Sequence, residues 1–231
     1  RDSAADNAAT EIVAAPGQRP VFSGAAPLPG GWQPAPQELA RLPEPARGKV
    51  WMADVPADWP AFRTLFQGDM MLPRARSRGF RQLNIAPAGG QAIDQQHLYL
   101  PAEAVQSVAD FSQAEMVVVP IHPWVMNILP MTAVDRATGL VRTAVPATYP
   151  LGPPHFANFP HGTLWIENVL EALDEPGEWV LDTAARKLYL WPPDGKKPGE
   201  DVVAPRLTEL IRVEGKLDYD GPSDTPVRGL V

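Results

Sequence analysis

The sequence has no cysteine among its 231 residues, which excludes disulfide bonds, thiolate metal sites and thiol nucleophiles. It lacks any apolar run near the roughly 20 residues a membrane-spanning helix needs. Basic residues are in short supply. Twenty Lys and Arg stand against 27 Asp and Glu, a net charge of −7, with a pI near 5.1. That balance argues against nucleic acid and anionic membrane as partners. The four histidines (His97, His122, His155 and His161) show no metal-ligand spacing, and no Asp pattern resembles a Ca²⁺ loop. There is no phosphate loop, dinucleotide fingerprint or Gly-x-Ser-x-Gly elbow. No metal or other cofactor is expected.

What is abundant points to β structure. Pro at 28 and Gly at 18 together make about a fifth of the chain, well above ordinary usage. Such density breaks long helices and favours short strands joined by turns. Hydrophobic residues at 45% and seven Trp still supply a core, which excludes general disorder.

The best-specified stretch is Thr163 to Pro193. Asp174-Glu175-Pro176-Gly177 is a turn, since Pro presets φ and Gly accepts the next corner. Glu178–Asp182 then alternates polar and apolar, Thr183–Arg186 reverses the chain, and Lys187–Trp191 alternates again before Pro192-Pro193 stops it. The spacing predicts a hairpin with Trp179, Tyr189 and Trp191 as its apolar mass and Glu178 on an exposed phase. The run IENVLEALDEPGEW followed by LYLWPP resembles that of secreted bacterial right-handed parallel β-helix proteins, the family 141 glycoside hydrolases among them. That resemblance implies an all-β insert near the start of a β-helix, activity on plant cell-wall glycans, and catalytic carboxylates on later rungs.

Taken in order, residues 10–24 read as strand, Pro16-Gly17 turn, strand; the resemblance makes them an early rung. Residues 25–48 read as a surface excursion with a turn of helix at 37–41. Strands are predicted at 49–55 and 62–67, with Gly68-Asp69 reversing into 70–76. Residues 77–100 read as irregular and Pro101–Phe111 as a short helix. Ala114–Ile121 is a continuous apolar run of strand length, expected to be buried on both faces. Strands at 128–135 and 139–145 form a hairpin, 146–162 a long Pro-rich loop, and 201–204 and 209–214 further strands. The expected organisation is a first rung at 1–24, an inserted all-β domain at 25–208, and the restarting coil at 209–231. The fold class is all-β: a β-sandwich-like insert of hairpins flanked by the first rungs of a parallel β-helix. Two rungs leave backbone groups open, so the remainder of the β-helix, or a second chain, is an expected partner. Arg1 in place of Met fits a removed leader or an excised piece, and the expected location is secreted or periplasmic.

Three constellations could carry chemistry. His122-Pro123-Trp124 sets a titratable ring beside an aromatic plate on which a sugar could stack; the alternative is a Trp capping the β core and a His bonded to backbone. Arg74 and Arg76 share a strand face and could clamp a uronate carboxylate, or form structural ion pairs. Glu167, Glu171, Asp174, Glu175 and Glu178 offer carboxylates for glycoside cleavage, but a turn would leave them solvated and ionised. The substrate-binding candidates are therefore His122, Trp124, Arg74 and Arg76, with catalytic residues not assigned. The expected function is the non-catalytic N-terminal portion of a secreted β-helix enzyme acting on a polysaccharide or oligosaccharide, a glycoside hydrolase by resemblance. A stand-alone glycan-binding or structural module is one alternative, and part of a polysaccharide lyase another.

Overall fold

The computed structural model describes residues 11–36 and 39–212. They divide into two compact units. Pro27–Ala204 forms one; Arg1–Ala26 with Pro205–Val231 forms the other, of which 11–26 and 205–212 are described.

The elements in chain order are β1 (Ala25–Pro27), β2 (Gln33–Pro34), β3 (Trp51–Asp54), β4 (Leu65–Gln67), β5 (Met70–Leu72) and β6 (His97–Tyr99), followed by α1 (Ala102–Gln106). Then come β7 (Glu115–Val118), β8 (Asn127–Val134), β9 (Leu140–Thr143), β10 (Leu164–Glu167), β11 (Trp179–Asp182), β12 (Lys187–Leu190) and β13 (Val202–Pro205). The fold is all-β, built of antiparallel sheets.

A five-stranded sheet runs β10-β7-β8-β9-β6. Strand β7 lies in its interior, and all four of its residues are buried, as a continuous apolar run requires. One face of this sheet packs on α1 and the segment after it, where Ala104, Val105, Val108 and Phe111 share a core with Leu98, Met116, Val118 and Leu129. The second sheet runs β11-β12-β3-β2. Its β11–β12 hairpin pairs Trp179 with Leu190 and Asp182 with Lys187, and Val180, Tyr189 and Trp191 fill a second core with Leu42, Ala46 and Leu173. In the third sheet β4 pairs with both β5 and β13, with Gly68 at φ 56° in the β4–β5 reversal.

Several expectations are corrected. Residues 11–24 hold the Pro16-Gly17 turn, Gln18 N–H donating to Ala15 O at 2.9 Å, but no strand flanks it, and Ile12, Val13, Val21 and Phe22 are exposed. Four apolar residues flanking a turn do not make strands without a neighbouring ladder to bond. Residues 209–212 are likewise irregular, and the rest of the expected 209–214 strand lies outside the described residues. The stretch 25–48 is no surface excursion: Leu28, Trp32, Ala35, Leu42 and Ala46 are buried. Of the expected helix at 37–41, residues 37 and 38 lie outside the described residues, and 39–41 form a turn. The stretch 77–100 contains β6, and the 101–111 helix is only the five residues of α1. Strand β11 is not half-buried, since Trp179, Val180 and Leu181 are all buried. A second layer covers the face that alternation assigned to water.

Candidate functional site

After β7 the chain leaves the sheet, and the loop 146–162 clasps it. Ile121 N–H donates to Pro150 O at 3.2 Å and His155 N–H to Ile121 O at 3.1 Å. Asn127 and Thr148 bond reciprocally, Nδ2 to Oγ1 at 2.9 Å and N–H to Oδ1 at 3.1 Å. These bonds assemble an aromatic cluster from two segments distant in sequence. His122 stacks on Trp124 with centroids 4.5 Å apart and planes at 17°, while Tyr149 meets His122 edge-on at 4.4 Å. Phe156 lies 5.7 Å from Trp124.

The cluster faces outward. Trp124 is 62% exposed and Phe156 54% exposed. The alternative of a Trp capping the core and a His bonded to backbone is not met: His122 Nδ1 is buried with no hydrogen-bond partner among the described residues. The result is a rigid aromatic plate, braced from behind and open in front. Such a plate can stack on the apolar face of a sugar ring.

Arg74 and Arg76 part company. The Arg74 side chain is 11% exposed, ion-paired with Glu115 and placed over the Trp179 ring at 5.6 Å. Arg63 bonds the same carboxylate, Nε to Oε1 at 2.9 Å. Burial alone would raise Glu115, but the Arg63 hydrogen bond and the Arg74 charge outweigh it and hold the carboxyl below its usual range. Arg76 stays on the surface over Trp165 at 5.5 Å. The cleft beside this ion pair holds about 240 Å³, walled by Phe62, Gln113, Met131 and Thr183 as well as the pair. Sequence reasoning missed Arg63 and Glu115. The signal was there, because a single carboxylate inside the apolar run 114–121 demands a buried cation.

The carboxylates divide by environment. Asp174 and Glu175 are exposed in the turn, but Glu178 is only 8% exposed, contrary to its expected exposed phase. Its Oε2 accepts the backbone N–H groups of Asp174 at 2.9 Å and Glu175 at 3.0 Å. Burial pushes its carboxyl up to about 7 against those two bonds, and the charges of Asp174 and Glu175 add to the rise. Full ionisation at neutral pH is therefore corrected for this group. Glu167 is also raised by burial, opposed by Arg74 and Arg76, and Glu171 is tied to Arg41 at 3.0 Å. No group of three or more His, Asp or Glu among the described residues could hold a metal ion. No helix among them is long and apolar enough to cross a membrane.

Residues 48–193 match the family described as the GH141 insertion domain. The chain belongs to that family. All four candidate contact residues, with Tyr149 and Phe156, fall inside the matched span. A solved structure described as a glycoside hydrolase is 27% identical, with a TM-score of 0.62, over 84% of this chain. The match takes in 33% of that protein, so this GH141 insertion domain chain spans about a third of the length of the hydrolase it resembles. No curated protein matches it.

Proposed function

We propose that this chain is the non-catalytic, substrate-contacting portion of a secreted or periplasmic glycoside hydrolase whose remainder is a right-handed parallel β-helix. The insertion-domain membership and the similarity to a glycoside hydrolase support a carbohydrate role. The observation that carries the contact reading is Trp124, held flat by His122 yet 62% exposed. A tryptophan that only filled a core would be covered, as Trp179 is. In this reading Trp124 stacks on a sugar of a plant cell-wall or similar glycan, with His122 fixing its plane. Arg76 supplies a surface cation, and Arg74, tied to Glu115, anchors the same segment.

Catalysis belongs to the remainder. A glycosidase needs a proton donor and a second carboxylate facing one bond. Glu178 has a raised pKa, but its carboxyl is turned into its own turn, where two amides hold it. The test is titration of the chain with neutral xylan oligosaccharides, beside an assay for released reducing ends. Binding abolished by Trp124→Ala, with no turnover, supports the reading. Turnover that Glu178→Gln abolishes rejects it. The same region in a polysaccharide lyase would cleave by elimination, and unsaturated product in a longer form of the protein would favour that alternative. A gene that stops just past Val231 would favour a stand-alone glycan-binding module.

A further inference from the structure

In a chain of net charge −7, four arginines (Arg74, Arg76, Arg78 and Arg81) fall within eight residues, and no Asp or Glu occurs between Asp69 and Asp94. Arg74 is spent on Glu115. The others are exposed, and two of them, Arg78 and Arg81, wall an open groove of about 600 Å³ with Phe80, Glu103, Pro160 and His161, over a floor that includes Gly79 and Gly162.

The two glycines are there by necessity. A Cβ on Gly79 would stand 1.5 Å from the His161 carbonyl oxygen, and one on Gly162, which has φ +101°, would stand 2.7 Å from Phe80 N. The two segments lie so close because Phe80 bonds to the opposite chain in both directions. Its N–H donates to Leu164 O at 2.8 Å, and its O accepts Thr163 N–H at 2.8 Å. Buried Gln82 braces them further, accepting Thr163 Oγ1 at 2.7 Å and donating to Val119 O at 3.0 Å. Arg81 is oriented by Nη2 donating to Phe159 O at 2.9 Å, and Arg78 lies over the Phe80 ring at 5.0 Å. Two guanidiniums thus flank a trough that carries no side chain at Gly79 and Gly162, and Glu103 is the only carboxylate among its lining residues.

We propose that this groove binds the carboxylates of an acidic oligosaccharide, with Arg78 and Arg81 each engaging a uronate. Guanidinium forks match a carboxylate bidentately, and a flat backbone floor admits a sugar ring that a side chain would block. The inference adds a second contact, separate from the Trp124 plate, and gives the contacted glycan a charge.

The experiment is calorimetric titration of the full chain with a galacturonate trimer and with its methyl ester, whose esterified carboxyls carry no charge. The acid form is expected to bind at least tenfold tighter than the ester, less tightly at higher salt, and to lose at least tenfold in Arg78→Ala/Arg81→Ala. Arg78→Lys/Arg81→Lys keeps the charge but not the fork; recovery of less than half of that loss is expected, and it controls for folding. Equal binding of acid and ester overturns the proposal, as does an undiminished Kd in the double Ala variant. Equal affinity for inorganic polyphosphate also overturns it, since that marks unspecific charge attraction. Trp124→Ala separates the two readings. It is expected to spare uronate binding; if it abolishes that binding while the arginine variants do not, the groove is rejected and the aromatic plate stands.

Discussion

Asn168 pairs with Leu181 as if its side chain were a strand of backbone. Its Oδ1 accepts Leu181 N–H at 2.8 Å and its Nδ2 donates to Leu181 O at 2.9 Å. The residue adopts φ 61°, a left-handed conformation that Asn tolerates better than most side chains. It joins the end of β10 to the middle of β11, and Nδ2 also reaches Gln113 O at 3.0 Å. Asn168→Ala strands buried backbone groups and is expected to lower stability by about 2–4 kcal/mol, read as the shift of a urea unfolding curve.

Glu178 sets a pH dependence. Its folded carboxyl titrates at about 7 against 4.5 in a free chain, so the folded state holds the proton more tightly. Its favourable contribution is complete below about pH 4.5 and is lost as pH rises to about 7. The loss amounts to roughly 3 kcal/mol. Glu178→Gln is expected to be more stable than the wild type at pH 8 and no more stable at pH 4.5. Parallel curves for the two proteins across that range would contradict the assignment.

The Glu115 ion pair acts in the opposite sense. Its carboxyl is held below the usual range, so its contribution is present above that range and lost as pH falls through the folded value. Glu115→Ala leaves buried Arg74 uncompensated and is expected to cost about 3–5 kcal/mol. Arg63 is 57% exposed, and Arg63→Ala is expected to cost under about 1 kcal/mol. Chemical denaturation of the two variants at pH 7 checks the contrast.

Two tryptophans should behave as opposites. Trp179 is fully buried, stacked on Phe62 at 5.8 Å with Nε1 donating to Leu72 O at 3.1 Å. Trp179→Ala is expected to cost about 3–5 kcal/mol. Trp124→Ala removes an exposed plate and should change stability by less than about 0.5 kcal/mol while abolishing binding of neutral xylan oligosaccharides. Thermal melts and a binding isotherm on both variants decide it.

Gly79→Ala drives a methyl into the His161 carbonyl, a backbone group held by the ladder at Phe80. It is expected to destabilise by about 3 kcal/mol or more, in contrast to Gly89→Ala, whose Cβ meets nothing within 4 Å and whose cost is confined to its positive φ. Comparing the two melts isolates the close approach from the conformational term.

The sequence by itself determined the elements whose causes are local. Proline and glycine density made the chain all-β. Asp174–Gly177, Gly68-Asp69 and Thr183–Arg186 each encode a reversal in a few residues, and the alternation at 187–191 specifies β12. Trp179 and Trp191 were readable as core anchors because apolar mass has nowhere else to go. Only the tertiary structure decided what depends on segments far apart. Strand β11 is buried on both faces and Glu178 is shut from water because other layers cover them, which no period-2 pattern records. Arg74 meets Glu115 41 residues on, and His122 meets Tyr149, which lies beyond the β8–β9 hairpin in a loop without periodicity. The Gly79–Gly162 approach was silent as well, since a glycine's reason lies in the neighbour it admits. Long-range burial and pairing are set by which surfaces meet, and that is a property of the whole fold.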